Sequence, residues 1–353
     1  MSFEFKHVKL EVPIIQGGMG IGVSLSNLAG HVMKEGGLGV LSAAQPGYRK
    51  DDFKRNTVKA NIEALKEEVK KAREIANGNG ALGINLMVAM EYYGDYAKSM
   101  NDLDIDVVIS GAGLPLDLPT FITNPKIALA PIVSSAKAAV LLCKRWLSRH
   151  NVLPDLIIIE GPMAGGHLGF DPDELRAKTT QTLEDIVVET KAALEALGHK
   201  IPIAAAGGVF TGYDIAKFLK LGADAVQMAT RFIGTYECDA DMKFKEVFLN
   251  GKEEDIDLVI SPAGYHGRAW VNPFVKKMRT QRIPPIQCVN CLKPCNPPTT
   301  PYCITEALIE AVKGNTDEGL VFTGSNGYRV KKLYHVHDLI TELLTEMKAG
   351  LAQ

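Results

Sequence analysis

The sequence predicts an α/β fold of the closed (β/α)8 class, a TIM barrel with an appended C-terminal lobe or lid. Three observations predict it. Eight short apolar runs recur over the first two-thirds of the chain, each rich in Val, Ile, Leu or Ala and without polar alternation. Such runs read as parallel strands covered on both faces. Amphipathic helical stretches separate them, and glycine-rich loops follow several of them, on the side where a barrel carries its active site. An open doubly wound sheet would share the alternation, but no G-x-G-x-x-G follows the first run.

The eight runs lie at 13–16, 37–42, 82–87, 106–110, 127–132, 156–160, 203–206 and 225–228. The clearest helices are 50–77, 136–149 and 182–197, the last stopped by Gly198. Ser24 and Asp214 read as starts of two more. Beyond Gly234 the chain is longer than one closing helix requires. It holds SPAGYHGRAW, a Pro- and Cys-rich segment at 283–303, a helix at 305–313 and a last helix at 337–348. The expected division is a barrel core at 1–235, an inserted lobe or lid at 236–330, and a C-terminal helix at 331–353 packing back on the barrel.

Composition narrows the class. The 353 residues are 46% hydrophobic and 23% charged, with a formal net charge of −2, as in ordinary globular chains. That balance gives no reason to expect nucleic acid or an anionic membrane as partner. The N-terminus lacks an apolar core of signal-peptide length, and no stretch approaches a membrane span. A cytoplasmic enzyme with a small-molecule substrate is expected, and a homodimer is left open. Six cysteines in a chain this long do not suggest a disulfide-stapled fold.

The sixth run ends in DLIIIEGPMAGGHLGF at 155–170. Glycines there let the backbone approach a flat ligand closely, and His167 is placed to act as acid or base near neutral pH; the alternative is a plain turn with an exposed histidine. The seventh run ends in AAAGGVFTGYD and the eighth in QMATRF. Gly207 and Gly208, with Ala229 and Thr230, make a phosphate cradle at the paired final strand loops, the usual phosphate site of this barrel. A phosphate without lysine-based or metal machinery points to a cofactor that does its own chemistry, and FMN fits. QGGMG at 16–20 would let backbone pass against its ring. Asn85 either hydrogen-bonds a ring edge or caps its strand.

These pieces together resemble the flavin-dependent nitronate monooxygenase family, which also includes the enoyl-acyl-carrier-protein reductase II enzymes. The resemblance rests on PIIQGGMG (13–20), GGLGVLS (36–42), GINLM (83–87), EGPMAGGHLG (160–169), AAGGV (205–209) and QMATRF (227–232). It implies FMN contacts at Gly18, Met19, Asn85, Glu160, Gly165, Gly166, Gly207, Gly208, Gln227, Met228, Ala229 and Thr230, with His167 as the catalytic histidine. It implies either oxidation of alkyl nitronates by O2 or NAD(P)H-dependent reduction of enoyl thioesters or quinones. The first is the expected activity. Two residues depart from the pattern: Met163 stands where relatives often carry an acid, and Ala229 where glycine is usual. His266 and Arg268 fall in a loop over the barrel mouth, where Arg268 can meet an anionic group. The remaining six histidines read as surface or capping groups.

Cys288, Cys291, Cys295 and Cys303 lie in CVNCLKPCNPPTTPYC, with two, three and seven residues between them. Thiolates so spaced can converge on a tetrahedral zinc or an iron–sulfur cluster; reduced thiols packed in a small lid are the alternative. The family resemblance does not extend to this motif.

Overall fold

The computed structural model describes residues 2–353. Its first element is a hairpin, β1 (Phe3–Phe5) and β2 (Val8–Leu10), paired antiparallel. Eight strands of a closed parallel barrel follow: β3 (Ile14–Gln16), β4 (Leu38–Ser42), β5 (Ala81–Met87), β6 (Val107–Gly111), β7 (Ala128–Val133), β8 (Ile157–Glu160), β10 (Ile203–Ala206) and β11 (Ala225–Met228). Closure is made by β11 on β3, with Gln227 opposite Ile15. All eight correspond to the apolar runs of the sequence.

Alternation within each strand builds two layers. In β10, Ala204 and Ala206 point into the barrel with Ile158, Ile109 and Val40, while Ile203 and Ala205 face the outer helices. The hairpin plugs the amino end: Phe3, Phe5, Val8 and Leu10 pack with the interior residues. Lys6 at its turn donates to the Ile127 carbonyl at 2.9 Å and pairs with Asp155 at 3.2 Å. The other end stays open to the loops.

Helix starts differ from the sequence reading where the cap comes from elsewhere in the chain. The first helix runs Ser26–Lys34, and Ser24 does not begin it. Its first amides donate instead to the Asp239 carboxylate, Leu25 at 2.8 Å and Leu28 at 3.2 Å, a tertiary cap that no local pattern shows. Helix Gly212–Lys220 is capped by Thr211, with Asp214 closing a capping box from its first turn. The predicted 50–77 helix begins only at Thr57, because 51–55 form turns in which the Arg55 and Asn56 amides both donate to the Asp52 carbonyl at 2.9 Å.

The region after β11 stays on the barrel. Strands β12 (Ile256–Ile260) and β13 (His266–Trp270) join β9 (Gly166–Leu168), a short strand in the loop after β8, in one antiparallel sheet over the barrel mouth. Helix Val336–Ala352 packs against Gly212–Lys220, where the Gly212 amide donates to Glu346 at 2.7 Å. No helix among the described residues is long and apolar enough to cross a membrane.

Candidate active site

The carboxyl ends of the strands open on one cavity, and the chain's glycines shape its floor. Gly17 follows β3 and is tied to β11 by its amide, which donates to the Met228 carbonyl at 2.8 Å. A side chain on Gly18 would collide with Asn85 at the end of β5. After β10, Gly207 and Gly208 adopt φ of +81° and +131°, a region that L side chains avoid. Ala229 keeps φ at −114°, so the alanine that replaces the usual glycine fits without strain. Thr230 then opens a short turn of helix, Thr230–Ile233.

His167 sits on β9, opposite Gly267 of β13. Pairing with β13 turns what the sequence shows as a glycine loop into a held strand. The imidazole Nε2 is 2.7 Å from Ser261 Oγ, and the ring lies edge-on to Phe322, centroids 5.3 Å apart. Burial lowers its pKa to about 4, so the ring is neutral at physiological pH. Burial acts oppositely on Glu160 at the end of β8, raising its carboxyl to about 7. Gln227 is buried, and its Oε1 has no hydrogen-bond partner within the protein. A buried acceptor left open toward a cavity fits a ligand that brings an N–H.

His167 and all twelve residues expected to hold a cofactor line this one cavity. The structure also places the other residues that the sequence singled out. His266 lies in β13 opposite Leu168 and does not line the cavity. Arg268 does not reach out to an anion; its guanidinium is buried and donates to the Ala164 carbonyl, bracing the glycine loop. The four clustered cysteines are free thiols, and among the described residues no three histidine, cysteine or acidic groups converge as a single-ion site. Instead the four line a shared cleft beside Glu91 and Tyr92, and Cys291 also forms part of the main cavity wall. Backbone pairing causes this placement: the Cys291 carbonyl accepts from Glu91 N at 3.2 Å, and Lys293 N donates to Ala89 at 2.9 Å. Burial pushes the Cys291 and Cys303 thiols up to about 11 and about 12.

The family model for nitronate monooxygenase matches residues 2–346. The chain belongs to the nitronate monooxygenase family. It is therefore an oxidoreductase acting on a small molecule, as its motifs implied. A probable nitronate monooxygenase of Bacillus subtilis is 26% identical over 311 residues, covering 80% of this chain and 84% of the relative. The solved structure of FabK from Thermotoga maritima superposes with a TM-score of 0.76 at 24% identity, covering 97% of this chain and 94% of the other. Nitroalkane oxidase from Streptomyces ansochromogenes superposes at 0.73 and 20% identity, covering 97% of both chains. At such identities the two superpositions establish the shared fold.

For this member of the nitronate monooxygenase family, the sequence reading missed the segment that closes the cradle. Gly324 N donates to Thr230 Oγ1 at 3.1 Å, Ser325 N to the Met163 carbonyl at 3.0 Å, and Asn326 Nδ2 to the Gly208 carbonyl at 2.8 Å. The stretch TGSNG at 323–327 carried a signal, since a Gly-Ser-Asn cluster marks a backbone-rich loop. Ser261 carried none, because its tie to His167 spans 94 positions.

Proposed function

We propose that the cavity binds FMN and that the protein oxidises alkyl nitronates, with His167 as the catalytic residue. The observation that carries this reading is the joining, in one cavity, of the Gly207-Gly208 and Ala229-Thr230 loops with His167. Backbone at the two loops and the Thr230 hydroxyl would take the terminal phosphate, with Gly324 behind them. Gln227 Oε1 would accept from a ring N–H, and Gly18, Met19 and Asn85 would border the ring. Bound there, the flavin supplies electron exchange with substrate and, for this activity, with O2. His167 contributes a neutral imidazole whose orientation Ser261 holds. It can polarise a nitronate oxygen through an N–H or take a proton, and it adds no charge that would need a counter-ion. Glu160 would stay largely neutral until the pH passes about 7, so it does not repel an anionic substrate below that value.

A second reading is favoured by the cavity wall. Met90, Ile304, Leu308, Leu320 and Phe322 line it, with no lysine or arginine among the described lining residues. A wall of this kind suits an apolar tail and also suits a neutral conjugated acceptor, such as an enoyl thioester or a quinone, reduced at the expense of NAD(P)H.

Heat release and chromatography of the bound chromophore test the cofactor; FMN is expected, and FAD or no flavin after reconstitution would remove the mechanism. Anaerobic titration followed at the ring absorbance tests the substrate. Bleaching by propyl-2-nitronate is expected; bleaching by NADH alone would transfer the function to the second reading.

A further inference from the structure

Outside the flavin cavity, the densest group of metal-binding side chains is the four-cysteine cleft. Cys288, Cys291, Cys295 and Cys303 line one opening of about 290 Å³, beside the loop that follows β5. None is in a disulfide. The Cys288–Cys291 turn has the form of a ligand loop: Asn290 takes φ +49°, and its amide donates to Cys288 Sγ at 3.3 Å. An N–H aimed at sulfur from two residues on stabilises a thiolate where a metal would bind it. Cys303 occupies the N-cap of helix Ile304–Val312, at the positive end of nine helical residues. The chain from 281 to 303, which holds these ligands, has neither helix nor strand, apart from isolated bridges of Ile283 with Tyr302 and of Leu292 with Met90. Such a segment gains more than most from a cross-link.

We propose that these four cysteines bind an iron–sulfur cluster of the four-cysteine, cuboidal class. A single tetrahedral ion requires all four sulfurs within about 2.3 Å of one point, and the thiols do not converge in that way. They surround a cleft, which suits a body larger than one ion. Each thiol would give up its proton on ligation. The site stands independently of the flavin assignment, because its cleft shares no residue with the Gly207-Gly208 and Ala229-Thr230 loops. Its position has meaning for the neighbouring cavity all the same, since Cys291 lines both.

Full-length protein purified without oxygen, and separately reconstituted with iron and sulfide, is the material for the test. About four iron and four labile sulfide per chain are expected, with a visible charge-transfer absorbance that dithionite bleaches. Cys288→Ser should lose most of that iron while keeping its flavin and the melting temperature of the metal-free wild-type protein, because Cys288 is exposed and supports no core packing. Cys143→Ala, which alters a buried thiol of the barrel core, should keep its iron. One equivalent of zinc without iron, absence of metal in both preparations, or full iron in Cys288→Ser would each overturn the proposal.

Discussion

Burial drives His167 and Glu160, two titratable groups of the cavity, in opposite directions. It holds His167 at about 4 and Glu160 at about 7, so between those values both are mostly neutral. An imidazole that works as a neutral base or donor loses function only as the pH falls through about 4. A carboxyl that must stay neutral beside an anion loses function as the pH rises through about 7. The pH profile of kcat/KM with a nitronate is therefore expected to be flat between these limits and to fall above about 7. Glu160→Gln should abolish the alkaline fall and leave the acid limb; an unchanged alkaline limb would assign it to another group. His167→Ala should keep flavin but lose about 10²–10⁴-fold in turnover, the usual worth of an acid–base group. Near-normal turnover in the flavin-replete variant would remove the catalytic role.

At the scale of elements, the close passage of segment 323–326 behind the glycine loop is the feature most open to test. A Cβ on Gly165 would lie 2.5 Å from Gly324 N, so the two backbones cannot both stay in place if that position carries a side chain. Gly165→Ala is expected to weaken flavin binding at least about tenfold, or about 1.4 kcal/mol, with far-ultraviolet dichroism unchanged. Unaltered flavin affinity would show that the segment is not part of the cradle. The same contrast explains what was legible in the sequence. Each barrel strand announces itself by a buried apolar run such as IIIE or IAAA, because its neighbours on both sides are also strands and helices of regular pattern. Strand β9 is only Gly166, His167 and Leu168, and no propensity marks it. It exists because β13, a hundred residues on, offers its edge. The cavity-lining residues at the strand ends were readable from motifs, many of them glycine-rich, whereas Phe322 and Gly324 reach the cavity, and Ser261 reaches His167, only through tertiary folding. The cysteines showed their spacing but not their docking, which depends on the backbone of Ala89 and Glu91.

At the scale of the molecule, the two ends of the barrel are separable. The amino end is sealed by the hairpin, whose Leu10 is wholly buried among interior residues. Leu10→Ala should cost about 2–5 kcal/mol of stability, read by chemical denaturation, while flavin affinity at the opposite end stays within experimental error. A large loss of flavin would mean that the barrel transmits strain along its axis. The carboxyl end is different, because its cradle is made from distant parts of the chain. Strand β11 finishes the sheet at Met228, yet its loop gains Gly324 94 positions after Thr230, and the loop after β10 gains Asn326 118 positions after Gly208. The helix that backs the seventh strand's loop is braced by Glu346. Synthesis runs from the other terminus. Residues 323–346 must therefore be made and folded back before this end of the barrel is complete, and a product stopped just after β11 would be a sheet with its strands in order and an unfinished mouth.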